Sequence, residues 1–264
     1  MNKKLFKILL VFLITILCVV IFLLLNKNKT DDDIIIVDDE QYKSELFDCS
    51  SYCKYEDEYY TSMAGIDVSE HNKFIEFKDV KESGIDFVYI RAAWRGYSEG
   101  KLHDDYFFNF NYEEAKENGL LVGVYMFSQA TNEKEAIEEA NHLLKLLDHR
   151  DLDLPVVYDF EYIDHDEART DGITKEQCTN NALAFFHVIE EEYDVMLYAN
   201  SVLLNDYYDM DKLSKYPLWY AQYYKKPVCD YDFNIWQYDD SGEVPGIEEK
   251  TDLNIMFIPK EQPY

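Results

Sequence analysis

The sequence predicts an α/β barrel preceded by a transmembrane helix, and three observations carry that reading. Short apolar runs recur from Gly65 onward and alternate with charged segments of helical periodicity, the pattern of parallel strands covered by helices. In the last third the runs continue, but their turn-rich connections are too short for full helices. Ahead of all this stands one long apolar stretch, residues 8–25. At 264 residues, the chain has room for one folded domain of ordinary barrel size beside it.

The first expected strand covers residues 65–68. Lys81-Glu82-Ser83-Gly84 then leads into Phe87-Val88-Tyr89-Ile90, and Lys116-Glu117-Asn118-Gly119 leads into the run 120–125. Each glycine stands where a helix would end in a left-handed cap. Further strands are expected at 154–158 and 195–198, and the longest helices at 133–147 and 175–192. In the second helix Ala182, Phe185, Phe186 and Ile189 share one face. Runs at 218–221, 235–238 and 253–258 complete a set of eight strands, the first five separated by helices. An open doubly wound sheet is the competing architecture, but no G-x-G-x-x-G supports nucleotide binding in it.

Lys3, Lys4 and Lys7 precede the apolar run, which is interrupted only by Thr15. As a helix it would rise about 27 Å, close to the ~30 Å of a bilayer core. Its end, Phe22-Leu23-Leu24-Leu25-Asn26, has no small-residue cleavage site, so an uncleaved signal anchor is expected. Lysine balance puts residues 1–7 in the cytoplasm and the rest outside. Residues 26–63, with Asp31-Asp32-Asp33 and a second acidic patch, read as a stalk, and 64–264 as the barrel domain. Cys49, Cys53, Cys178 and Cys229 lie outside the membrane segment and permit disulfides whose pairing is open; Cys49 and Cys53 could close a small loop.

Composition narrows the function. Lysine plus arginine number 25 against 53 acids, a formal charge of −28, which argues against a phosphate-tracking nucleic-acid binder. The 16% aromatic content, with 23 tyrosines, argues against a disordered acidic tail. The histidines show no metal-ligand spacing, and neither a metal nor another cofactor is expected.

Barrel chemistry sits at the C-terminal ends of the strands. In order, those ends carry Asp67, Arg91, Tyr125, Asp159 with Glu161, Tyr198, Tyr220 with Gln222, and Trp236 with Gln237; Asp252 stands near the start of the eighth strand. The sharpest feature is Asp159-Phe160-Glu161. Residues i and i+2 of a strand face one side, so both carboxyls would enter one pocket. Crowding and burial would keep one of them protonated near neutral pH, able to donate to a leaving oxygen while another supplies negative charge. Glycoside hydrolysis needs that division of labour, because its transition state resembles an oxocarbenium cation.

These residues resemble glycoside hydrolase family 25, the lysozymes that act as muramidases. The resemblance covers roughly residues 64–259 and runs through "GIDVSEH" from Gly65, "GIDFVYIRA" from Gly84, "GLLVGVYMFSQA" from Gly119 and "PVVYDFEY" from Pro155. It continues with "ARTDG" from Ala168, "LYAN" from Leu197, "LWYAQY" from Leu218, "WQY" from Trp236 and "DLN" from Asp252. It implies a modified TIM-like (β/α)5β3 barrel and hydrolysis of the β-1,4 bond between N-acetylmuramic acid and N-acetylglucosamine in peptidoglycan glycan strands. It also implies that Glu161 protonates the leaving oxygen, that Asp159 orients the substrate's acetamido group in a substrate-assisted reaction, with direct carboxylate attack as the alternative mechanism, and that Asp67 and Asp252 complete the acidic cluster. Tyr125 occupies the place of a family active-site tyrosine; Tyr198, Tyr220, Gln222, Trp236 and Arg91 are the other substrate-binding candidates. Two departures stand out: His71-Asn72-Lys73 where the family commonly has H-Q-G, and Phe160 between the two acids, which is expected to point away from the pocket. The intact acids favour an enzyme over an inactive glycan-binding scaffold. Only ten residues follow Asn254, so the anchor and stalk are expected to stand in for a wall-binding module.

Overall fold

The apolar runs become strands because each must bury both faces. The computed structural model describes residues 41–260, with strands β1 (Tyr60–Val68), β2 (Phe87–Arg95), β3 (Leu102–Asp104), β4 (Leu121–Ser128), β5 (Val156–Phe160), β6 (Val195–Asn200), β7 (Leu218–Ala221), β8 (Ile235–Gly242) and β9 (Thr251–Pro259). β1, β2, β4, β5, β6, β7 and β8 pair in parallel in that order, and β9 lies antiparallel between β8 and β1. That ring is closed, which removes the open-sheet alternative. β3 pairs with the end of β2 as a short antiparallel flap outside the ring, and the sequence reading had no place for it.

Helices α1 (Phe77–Glu82), α2 (Phe108–Glu117), α3 (Glu133–Leu147), α4 (Lys175–Ile189) and the short α5 (Met210–Leu213) fill the first five connections. The last three strands have none, as expected. Asn132 and Thr174 cap α3 and α4 by accepting from the backbone N–H three residues on. Gly84 and Gly119 take left-handed φ values of 101° and 75°, which ends α1 and α2 where the sequence placed the caps. Inside the ring, Phe87, Tyr89, Val157, Met196, Trp219, Ile235 and Met256 form the core. Tyr89 fits only because residue 123 is glycine: a Cβ there would lie 2.3 Å from its ring.

The helix-free side needs another cover, and this corrects the stalk. Residues 43–59 belong to the folded unit, which begins at Lys43. Phe47 sets its ring edge-on to Trp236 and Phe257, with centroids 5.4 and 5.9 Å away. Cys53 is buried, donates its N–H to the Tyr238 hydroxyl at 3.1 Å, and forms a disulfide with Cys49. β1 itself starts at Tyr60, four residues before the expected domain boundary. Chain that reads as a polar linker is held because three strands without helices would otherwise expose their aromatic outer faces. The apolar run 8–25 lies outside the described residues; among those described, no helix is long and apolar enough to cross a membrane.

Candidate active site

Strand alternation places every second side chain inside the ring, and at the C-terminal ends of the parallel strands these inward positions carry the polar groups. Asp67 stands one residue before the end of β1, Arg91 lies on β2, Tyr125 and Phe127 on β4, Asp159 on β5 with Glu161 just beyond, and Tyr198 on β6. Asp252 comes from β9, directly across the ladder from Asp67. Together with Ser69, His71, Trp219, Tyr223 and Gln237 they line one cavity of about 210 Å³.

A network of amides and aromatics fixes Asp67. The Trp219 indole N–H donates to Asn254 Oδ1 at 2.8 Å, so the Asn254 amide N–H₂ is turned toward Asp67 Oδ2, at 2.7 Å. Gln237 Nε2 donates to the same oxygen at 2.9 Å, while Gln237 Oε1 accepts from the hydroxyls of Tyr198 and Tyr223, each at 2.9 Å. Burial pushes the Asp67 carboxyl up to about 6, and the two amide donors pull against that rise.

The other acids have weaker support. Asp159 is buried, and its Oδ1 has no hydrogen-bond partner. Burial, followed by the nearby charges of Glu161, Asp67 and Asp252, holds its carboxyl well above the usual range. Burial and then Asp67 raise Glu161, a half-buried side chain. Asp252 is pushed to about 8 by burial and then by Asp67, Asp240 and Glu161. Among the described residues no lysine or arginine forms an ion pair with any of these four. Arg91 points into the cavity but is committed elsewhere: its Nε donates to Asp105 at 2.9 Å, and its Nη2 lies 3.2 Å from Glu70. The result is a group of carboxyls that can hold protons near neutrality, with Asp67 the best supplied to remain charged.

The structure therefore brings together Asp67, Asp159, Glu161, Asp252, Tyr125, Tyr198 and Arg91. It does not bring in Tyr220, Gln222 or Trp236. Tyr220 donates its hydroxyl to the Val228 carbonyl at 2.8 Å. Trp236 donates its indole N–H to the Gln222 carbonyl at 2.7 Å, and Gln222 Oε1 accepts from the Val228 N–H at 2.7 Å. These three hold the loop after β7 and the outer wall, because their strand phase is opposite to that of Trp219 and Gln237. Gln237 already stood beside Trp236 among the strand ends, and period-two counting from Asp252 would have found Asn254. Tyr223 lies past the end of β7, where alternation gives no guide. Phe160 points away from the cavity, with its ring 6.3 Å from that of Tyr207.

The altered loop is accommodated. Asn72 Oδ1 accepts from the Ser69 N–H at 2.9 Å, and its amide donates to the Lys250 carbonyl at 3.2 Å. Lys73 adopts φ 59° and ψ −138°, a conformation that favours glycine, and pairs with Glu249.

Residues 66–247 match the model for glycosyl hydrolases family 25. The autolytic lysozyme of Clostridium acetobutylicum is 31% identical over 194 residues, covering 73% of this chain and 55% of that relative. This chain thus spans little more than half the length of that protein. The spore cortex lytic enzyme SleM of Clostridium perfringens superposes with a TM-score of 0.64 at 25% identity, over 74% of this chain and 67% of that one. A family 25 glycosyl hydrolase from Bacillus anthracis gives a TM-score of 0.64 at 22% identity, over 79% and 94% of the two chains.

Proposed function

The chain belongs to glycosyl hydrolase family 25, and from that premise we propose that it is a muramidase, cutting the β-1,4 bond between N-acetylmuramic acid and N-acetylglucosamine in peptidoglycan. The observation that carries the proposal is the set of four carboxyls around one cavity, with a buried acceptor, Asp159 Oδ1, left without a partner.

Glu161 is the general acid. The charge of Asp67 helps hold a proton on its carboxyl, and that proton passes to the leaving glycosidic oxygen as the bond to the anomeric carbon breaks. Asp67 can keep its charge because two amide N–H groups meet one of its oxygens, and that charge also favours the cationic sugar of the transition state. The unpartnered Asp159 Oδ1 can accept an N–H, and the substrate's acetamido group offers one; such a bond would turn the acetamido oxygen toward the anomeric carbon, which it bonds as the leaving oxygen departs, until water adds to that carbon, reopens the acetamido bond and returns a proton to Glu161. Tyr125, Tyr198 and Trp219 give the sugar an aromatic wall. Incubation of the chain with purified peptidoglycan, followed by mass spectrometry, tests this. New reducing muramic ends are expected; binding without new ends would leave a glycan-binding scaffold.

The same proposal places the protein at the membrane by the apolar run 8–25, with the barrel outside and its role in wall remodelling or local wall opening. The Cys49–Cys53 disulfide supports an oxidising compartment. Recovery of the domain in the medium, trimmed near residue 26, would overturn the tether.

A further inference from the structure

A second concavity, of about 800 Å³, opens beside the catalytic cavity, lined by Phe47, Ser51, the Cys49–Cys53 disulfide, Tyr223, Tyr224 and Lys225. We propose that this groove binds the sugar strand where it continues beyond the cleavage site, an inference that rests on the muramidase reading. Three features favour a glycan as the occupant.

First, the two concavities meet at one residue. Tyr223 lines both and is held in place by its bond to Gln237. A polymer cut in a 210 Å³ cavity must leave it on some side, and Tyr223 stands on the side that faces the groove.

Second, the chemistry suits a hydroxyl-rich chain. Tyr223 and Tyr224 are 48% and 65% exposed, two consecutive rings at the groove on which a sugar can stack. Ser51, Lys225 and Asp239 supply polar groups around the rings without making a field of one sign.

Third, one wall is peculiar to the N-terminal segment. Phe47, Cys49, Ser51 and Cys53 lie before the residues that match the family model, 66–247. The segment that covers the helix-free side of the barrel thus also extends the site, and the disulfide holds the loop that forms its edge.

The test compares two substrates: long glycan strands freed of peptide, and a tetrasaccharide of the same repeat. Tyr224→Ala in the full chain is expected to lower kcat/KM on strands about tenfold, the scale of one lost ring contact, and to leave the tetrasaccharide within about twofold. A chain with both Cys49→Ser and Cys53→Ser should show the same selective loss. Equal losses on both substrates, or no loss on strands, would overturn the groove. Binding of uncleaved strands to Glu161→Gln chain, with and without Tyr224→Ala, separates this inference from the activity on which it rests. If wild type cuts neither substrate the muramidase reading fails, while weaker strand binding with Tyr224→Ala still upholds the groove and unchanged binding rejects it.

Discussion

Glu139, on α3 behind the sheet, and Asp159, at the cavity, are both shut away from water, yet their surroundings differ in kind. Glu139 accepts from Arg95 Nε at 2.6 Å and from Ser128 Oγ at 2.6 Å. Arg95 is itself anchored to the carbonyls of Gly100 and Glu135, and Arg169 clasps Glu135 with two bonds of 2.9 and 2.7 Å. Asp159 has an orphaned oxygen and three acids for neighbours. Burial raises both carboxyls, Glu139 to about 7. A raised pKa therefore does not separate scaffold from site here. What separates them is whether the fold supplies the partner or leaves that to a ligand. The acids at the mouth lower the stability of the empty protein, a cost that function explains and packing does not.

The largest effect expected from this contrast is on turnover. Glu161→Gln keeps the shape and removes the transferable proton, so release of reducing ends should fall about 10³-fold or more, with little change in thermal stability. An equal loss in Glu139→Gln, in a chain still folded by circular dichroism, would break the comparison.

Stability should show the reverse order. Glu139→Ala strands Arg95 in the protein and is expected to cost about 3–5 kcal/mol in a urea titration. Asp159→Asn removes a crowded acid and should leave stability unchanged or slightly higher, while activity drops about 10²-fold. If Asp159→Asn destabilised the protein as much as Glu139→Ala, the mouth would be scaffold as well.

The sequence disclosed these two regions unequally. Eight strands, the four helical connections between the first five and the acids of the mouth were legible, because apolar runs, glycine caps and D-x-E are local patterns. The Arg95–Glu139 pair was not, since its members are 44 positions apart and look like ordinary surface charges on a helix and a strand. The phase of β7 and β8 was misread for a physical reason. Tyr220 and Trp236 are as aromatic as Trp219, and only knowing which face is covered by residues 43–59 tells an outer wall from an inner one. That cover was hidden by its own composition, which is polar apart from a few rings.

Acidity sharpens the contrast in direction. Asp67 and Asp252 have folded-state values of about 6 and 8, above their ordinary range near 4, so the folded protein holds protons that the unfolded chain releases. Their protonated forms favour folding at low pH, and that contribution is lost as pH rises from about 4 through 6 and 8. Glu135 works oppositely. Although burial raises it, the bonds from Arg169 and Thr131 win and bring it to about 2. Its contribution is present above the ordinary glutamate range and is lost as pH falls toward 2. The melting temperature should therefore decline from pH 5 to pH 8, with Asp252→Asn removing the upper part of the slope, while Glu135→Gln should flatten the acid limb. A melting profile that rises through pH 8 in wild type would contradict the assignment of protons to the mouth.

The smallest effect concerns backbone rather than charge, and it asks whether the mouth gives up stability in a second way. Lys73 follows the turn that carries Ser69 and His71 to the cavity, and its φ of 59° with ψ of −138° is costly for any residue with a Cβ, by about 1–3 kcal/mol. Its pairing with Glu249 is exposed and screened by solvent, so it offsets little of that cost. Lys73→Gly relieves the backbone, loses the pair and adds chain entropy to the unfolded state, which leaves a net gain of about 1 kcal/mol, or some 2–4 °C in melting temperature. Lys73→Ala keeps the strain and loses the pair, so it should melt no higher than wild type. If alanine and glycine stabilised equally, the gain would come from removing a charge, and the turn at the mouth would hold no strain.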